Sequence, residues 1–327
     1  MMSFKKLKES ITEKKLSTED QQIKIQETRK IIGPVADKFP TICSDASVLR
    51  FLRARNYNTM KAAKMLRGTI KWRLEFKPEK ILWDDIAKEA LKGRLYRADY
   101  LDKQGRVVFV IKAGLQTPSL AMVQIKYLVY CMENAISNLP STQEQMVWLI
   151  DFQGWSTSCI SLKVTRDTAQ VLQNHYPERL GLAVLYNPPK LFESFWTMVK
   201  PFLELKTYRK AIFAYPDNPK SRVMMEELFD MDKLESCFGG NNKAGMNFEA
   251  YGIKMREYDK RVSGFIDSGC STPRFFSSDA NGSEDGSSSG EAANSNFDED
   301  DDIMQGQTPC SECESKNEVH HDKIVSN

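Results

Sequence analysis

Four short apolar runs mark the middle of the chain: RVVFVI at 106–111, MVWLID at 146–151, LAVLYN at 182–187 and AIFAY at 211–215. Runs of four to eight residues rich in β-branched and aromatic side chains predict strands. Between the first two lies an amphipathic stretch from Ser119 to Asn138, and between the next two lies LKVTRDTAQVLQNHY. Strands alternating with helices of this length predict an α/β layer with a largely parallel sheet. Upstream the period changes. In SDASVLRFLRARNYNTMKAAKMLRGTIKWRLEF, Ser44 or Asp45 offers an N-cap, Val48, Leu49 and Leu52 follow at helical spacing, and Asn58 and Thr59 start a second helix. Residues 1–42 carry charged, helix-friendly clusters broken at Gly33 and Pro34. The expected layout is an all-helical region over 1–92, an α/β domain over 93–260 and a tail over 261–327, with no repeat of solenoid length.

The segment KLFESFWTMVKPFL, residues 190–203, concentrates the apolar signal. Placed on a helix, Leu191, Phe192, Phe195, Trp196, Met198, Val199, Phe202 and Leu203 fall within one arc of roughly 160°. Lys190, Glu193, Ser194, Thr197 and Lys200 take the other side. Each such side chain gains about 1.5 to 3 kcal/mol on burial, so the arc must face a core, a ligand or a bilayer. At about 14 residues the helix can lie on a membrane but cannot cross it. An ordinary core helix shows the same pattern. Pro188 and Pro189 fix its start, and Pro201 with Glu204, Leu205 and Lys206 marks its end, a build that also suits a moving lid.

The overall charge of +2 hides a polarised chain. Residues 276–327 hold two lysines, Lys316 and Lys323, against thirteen acids, so the tail carries −11 and the remainder +13. The tail composition (SSDANGSEDGSSSGEAANSNFDEDDD) is that of a segment unable to bury enough apolar surface to fold. The folded body is therefore basic, a property that suits nucleic acid, an anionic membrane or an acidic partner equally. With 41% hydrophobic and 28% charged residues in 327, the whole is neither fibrous nor broadly disordered. No apolar run reaches membrane-spanning length, and the opening MMSFKKLKESITEKK lacks a signal peptide's apolar section, so a cytoplasmic location is expected. Seven scattered cysteines, an odd number, read as reduced thiols.

Catalytic patterns are weak. Gly286-Ser287-Ser288-Ser289-Gly290 matches the nucleophile-elbow spacing but lies in the low-complexity tail rather than at a strand-to-helix turn. Cys310 and Cys313 with His320 and His321 have zinc-ligand chemistry but too short a separation for a finger, so no metal is expected. His175 is the one histidine outside the tail and so the one possible base of that type for a Ser or Cys nucleophile. No phosphate-cradling loop ending in Lys-Ser/Thr and no dinucleotide fingerprint is present. The chain is not expected to be an enzyme.

A family resemblance enters here. His175-Tyr176-Pro177-Glu178-Arg179-Leu180-Gly181, then Asn187-Pro188-Pro189, Phe195, Val199-Lys200-Pro201-Phe202-Leu203 and Phe238-Gly239-Gly240 resemble the signature of CRAL-TRIO lipid-binding domains, the fold of the secretory-type phosphatidylinositol transfer proteins. Leu49-Arg50-Phe51-Leu52-Arg53-Ala54-Arg55 with Lys71-Trp72-Arg73 resembles the helical region that precedes this domain, here from about residue 40. The resemblance covers about residues 35–260 and leaves 261–327 without a counterpart.

The resemblance implies a CRAL-TRIO fold: a mostly parallel sheet flooring a cavity for one phospholipid, closed by residues 190–203 as a gate. It implies an inositol-lipid headgroup site at Arg55, Asp102, Glu178, Thr207 and Lys210, with no other cofactor. The residue types suit the task, since a phosphodiester wants cations and hydroxyl donors while inositol hydroxyls want carboxylate acceptors. A surface salt bridge is the plainer role for any one of them. Positions that hold a choline headgroup in the family, by ungapped matching, are Ala98, Phe109, Met146 and Trp148 here, so the hydroxyls are lost and a second ligand is expected to be more apolar, such as a sterol. Asn56 replaces a lysine found in some members. The expected function is binding and transfer of phosphatidylinositol by a monomer at anionic membranes, with no nucleic acid. The acidic tail would mask the basic surface or recruit a protein. The other reading is a non-transferring adaptor that holds a fixed small hydrophobe.

Overall fold

The computed structural model describes residues 16–115, 119–159 and 161–267. Among the described residues five α-helices precede the sheet: α1 (Thr18–Ile32), α2 (Val35–Lys38), α3 (Asp45–Ala54), α4 (Thr59–Phe76) and α5 (Trp83–Ala90). Ser44 is the N-cap residue of α3, and Asn58 caps α4 by accepting the Lys61 N–H at 2.9 Å. Helices α1, α3 and α4 enclose a core of their own, built from Ile25, Ile32, Val48, Leu52, Leu66 and Ile70. Helix α1 is thus part of the folded N-terminal unit.

The strands β1 (Leu95–Leu101), β2 (Val107–Lys112), β3 (Met146–Asp151), β4 (Leu180–Tyr186) and β5 (Ala211–Ala214) lie side by side in chain order. The first pair is antiparallel and the rest are parallel. Parallel connections are nearly always right-handed, and these all step the same way across the sheet, so their helices are sent to one face. Those helices are α6 (Ala121–Ser137), α7 (Leu162–His175), and α8 (Lys190–Val199) with α9 (Leu205–Arg209). Two rows of side chains, Phe109-Trp148-Ala183-Ala211 and Ile111-Ile150-Leu185-Phe213, share a face by register. Val110, Leu149, Val184 and Ile212 point the other way. They belong to the main core, which also takes in Phe229, Leu234 and Phe238 beyond α10 (Pro219–Leu228). The last helix, α11 (Phe248–Asp267), continues past the expected domain boundary at 260.

Two differences from the sequence reading have local causes. LYRADYL forms β1 although its polar residues hide it, because it is an edge strand whose Arg97 is satisfied by Asn134 Oδ1 of α6 at 2.9 Å. The helix expected over 190–203 is α-helical only to Val199 and tightens to a 3₁₀ turn at Lys200–Phe202, where Pro201 has no N–H to give. Among the described residues no helix is long and apolar enough to cross a membrane.

Candidate functional site

A cavity of about 580 Å³ lies between the sheet and helices α6, α7 and α8. Ile111, Trp148, Ile150 and Phe152 line it from the strand side, and Phe192 and Phe195 from α8. The one-way winding of the sheet creates this space, because three successive connections roof the same face and none covers it alone. Phe152, Leu185 and Phe192 form a separate small core under α8, joined by Trp196 and Phe213. Within the predicted arc, Phe192 and Val199 are buried and Phe195, Trp196, Phe202 and Leu203 half-buried. Leu191 and Met198 sit on the arc's outer margin, 59% and 53% exposed. The arc is wider than the surface the sheet can cover.

The four residues at the altered choline positions are all in strands. Ala98, Phe109 and Met146 are buried, and Trp148 lines the cavity with its ring 6.2 Å from that of Phe109. No side-chain hydroxyl is offered there.

The five candidate headgroup residues lie apart from the cavity lining. Glu178 immediately precedes the Arg179-Leu180 entry to β4 and has φ 59°, a left-handed conformation that is costly for a residue with a Cβ. Its Oε2 accepts from Lys210 Nζ at 3.1 Å. Lys210 caps α9, its own N–H bonded to the Thr207 carbonyl at 3.1 Å, so Glu178, Thr207 and Lys210 come together where β4 and β5 begin. Arg55, at the end of α3, reaches the same helix from the N-terminal unit and pairs with Glu204 Oε1 at 2.9 Å. Lys206 Nζ returns the contact, donating to the Arg53 carbonyl at 2.8 Å. Asp102 is differently placed. It is buried in the β1–β2 turn, where Oδ1 accepts the Arg106 backbone N–H at 2.8 Å and Oδ2 accepts Arg106 Nε at 2.7 Å. Its carboxylate closes the β1–β2 hairpin through Arg106.

Sequence reasoning passed over a second cationic group beside this cluster. Arg50 and Arg53 share Glu144, at 2.7 and 2.9 Å, and Arg179 donates to the Glu144 carbonyl at 3.0 Å. Burial, and then the neighbouring Arg50 charge, lower the Arg179 pKa to about 9. The i, i+3 spacing of Arg50 and Arg53 puts both on one helix face and was the available signal. Helix α8 spans the two regions: Phe192 and Phe195 face the cavity, while Trp196 stacks on Tyr208 of α9 at 5.3 Å.

His175 does structural work. Its ring stacks on Trp72 at 4.1 Å, and Nδ1 lies 3.3 Å from Thr69 Oγ1, joining α7 to α4. Burial, and then the Arg73 charge, push its pKa down to about 4. An unfolded histidine takes its proton near pH 6.5, so the stabilisation is complete above that pH and is lost as pH falls towards 4. Replacing His175 with Phe, which keeps the stack, should flatten the decline of Tm with falling pH between 6.5 and 4. Thermal unfolding of both proteins across that window checks it, and parallel curves would show that His175 is not the responsible group. Among the described residues no cluster of three or more His, Cys, Asp or Glu is placed to hold a metal. The Gly286–Gly290 segment and Cys310, Cys313, His320 and His321 lie outside the described residues, as does the acidic tail.

A parallel sheet wound one way over an apolar cavity, with an aromatic helix across it, defines a ligand-holding α/β domain with a helical N-terminal unit. A family model described as CRAL/TRIO domain matches residues 91–240, and one described as CRAL/TRIO, N-terminal domain matches residues 3–68. The chain belongs to the CRAL/TRIO family. It is 33% identical over 220 residues to the phosphatidylinositol transfer protein PDR17 of Saccharomyces cerevisiae, covering 63% of this chain and 60% of that protein. It is 30% identical over 214 residues to a CRAL-TRIO domain-containing protein of Schizosaccharomyces pombe, covering 65% of this chain and 20% of the other. To the SEC14 cytosolic factor of Yarrowia lipolytica it is 28% identical over 256 residues, 71% of this chain and 50% of that one. The chain thus spans between a fifth and three fifths of the length of these relatives. The crystal structure of Sfh5 superposes with a TM-score of 0.58 at 16% identity, covering 75% of this chain and 99% of that chain, a likeness of fold.

Proposed function

We propose that the chain extracts phosphatidylinositol from membranes and exchanges or presents it, without covalent chemistry, using α8 as the gate. The observation that carries this reading is the cavity of about 580 Å³, half open and mostly apolar, bordered by an aromatic helix whose outer edge exposes Leu191 and Met198. The volume lies within the roughly 300–1,000 Å³ of single-ligand sites. A two-chain phospholipid needs more, so its entry requires α8 to swing away, and the separate small core beneath that helix lets it move without opening the main core. Leu120, Met122 and Leu162 are exposed too, each within two residues of a cavity-lining position, which gives the rim an apolar surface suited to a bilayer. The basic body would steer this surface to anionic lipid.

For the headgroup, Lys210, Arg55 and Thr207 offer donors to a phosphodiester and Glu178 offers an acceptor to inositol hydroxyls, with Asp102 positioning Arg106 behind them. The name of PDR17 supports the choice of lipid. The lack of hydroxyls at Ala98, Phe109, Met146 and Trp148 argues against a choline lipid. Transfer of labelled phosphatidylinositol and phosphatidylcholine between vesicles tests the proposal: the inositol lipid should move and the choline lipid should not. Failure to move either would favour the second reading, an adaptor holding one small hydrophobe, for which the modest cavity is the supporting observation.

A further inference from the structure

One end of the cavity is polar, and it is not the end near Glu178 and Lys210. Glu89 of α5, Arg94 just before β1, and Ser119 and Gln124 at the start of α6 all line the cavity alongside Leu95, Ile111 and Tyr127. The Glu89 charge is already answered, since its Oε2 accepts from Lys92 Nζ at 2.7 Å and from Ser119 Oγ at 2.6 Å. Arg94 is answered far less. Among the described residues its guanidinium meets only Gln124 Oε1, at 3.3 Å, a distance beyond the usual range for an N–H···O bond, and it has no carboxylate partner. Gln124 is in turn held by a 3.3 Å bond from its Nε2 to the Ser119 carbonyl. A half-buried guanidinium with one long neutral contact, in a cavity whose floor is Trp148, Ile150 and Phe152 and whose remaining wall mixes Phe192 and Phe195 with the hydroxyls of Ser158, Ser161, Thr165 and Thr168, is a cation facing a ligand space.

We infer that this end is a binding site for the carboxylate head of a single-chain amphiphile, a long-chain monocarboxylic acid whose tail runs along the strand floor towards α8. The guanidinium fork matches a planar carboxylate in two parallel hydrogen bonds, and the bond gains strength away from bulk water. A neutral head would leave the cation unpaired. The cavity, at about 580 Å³, is small, which favours one chain over two. The inference rests on the part of the proposed function that makes this cavity a lipid-tail site, and it supplies the second ligand that an inositol-lipid exchanger lacking choline recognition would carry.

The test uses the full chain and a fluorescent polyene fatty acid, displaced in turn by oleate, methyl oleate and cholesterol. In the native protein oleate should displace the probe at least tenfold more tightly than methyl oleate. Arg94→Met should erase that preference by weakening oleate about tenfold while leaving the ester unchanged, and Arg94→Lys should retain part of it. Thermal unfolding of each variant shows whether the fold survives. Equal displacement by acid and ester in the native protein, an undiminished preference in Arg94→Met, displacement by cholesterol alone, or no binding of the probe would each overturn the site. Vesicle transfer of phosphatidylinositol, run in parallel on the native protein, separates the two failures. Transfer without acid preference removes this inference alone, and acid binding without transfer removes the transfer function alone.

Discussion

Replacing Glu178 and Lys210 together with alanine is expected to reduce phosphatidylinositol transfer about a hundredfold or more while leaving the protein folded. The two groups are 3.1 Å apart with side chains only 16% and 12% exposed, so they are one unit in the closed state. A single substitution would confuse two effects, because removing either partner strands the other's charge in a mostly buried place. The double substitution strands neither. On the proposed headgroup site it removes one cation for the phosphodiester and one acceptor for inositol hydroxyls, and charge-assisted hydrogen bonds contribute about 1.5 to 3 kcal/mol each. Two such losses come to at least two powers of ten in affinity. The left-handed backbone at Glu178 points the same way, since a non-glycine residue held at φ 59° is the kind of strain that collects at ligand sites. Transfer between vesicles and thermal unfolding, measured on the same preparation, decide it. A stable double variant that moves the lipid at the native rate would show that the pair is structural only.

How much of this could be read beforehand depended on distance along the chain. Strands β2 to β5 were legible because a parallel sheet covered on both faces needs unbroken apolar runs, and VVFV and LAVLY supply them. LYRADYL was not, since an edge strand keeps polar residues that find partners in tertiary contacts such as Arg97 with Asn134. Within the candidate site, the residue types were visible in the Pro-Glu-Arg segment and the Arg-Ala-Arg segment. Their pairings were not, because Arg55 and Glu204 are 149 positions apart, and Arg50 and Glu144 are 94 apart. Asp102 has a structural partner that its identity alone does not show. Its identity suggested an acceptor for ligand, but an Asp four residues before an Arg across a tight turn is also what closes a hairpin, and the structure uses it there. The Arg94 end of the cavity has no motif at all. It exists only because α5, β1 and α6 converge.

Loss of Glu133 is expected to destabilise the chain by about 3 to 5 kcal/mol, the cost of leaving a buried charge without its partner. Glu133 lies in α6, 7% exposed, and its Oε1 accepts from Arg73 Nη1 at 2.6 Å and from Tyr176 Oη at 2.6 Å, while Oε2 accepts from Arg73 Nη2 at 3.1 Å. Burial alone would raise its pKa. The Arg73 charge and the hydrogen bonds overcome that and hold the carboxyl below its usual range. In Glu133→Leu, Arg73 would keep only the more distant Glu79, at 3.8 Å. Arg73→Met in the same chain should restore most of the loss, because no unpaired ion is then left inside. Denaturant unfolding of the two single variants and the double variant reads the coupling directly, and a Glu133→Leu protein within about 1 kcal/mol of native would sink the assignment. The effect reaches the proposed headgroup site through Tyr176, two residues before Glu178. That tyrosine is fixed by Glu133, and Glu133 is fixed by a helix of the N-terminal unit, so the backbone conformation that places Glu178 beside Lys210 depends on α4 being docked. Transfer by Glu133→Leu should therefore fall at temperatures where the variant is still folded, and fall less in the double variant.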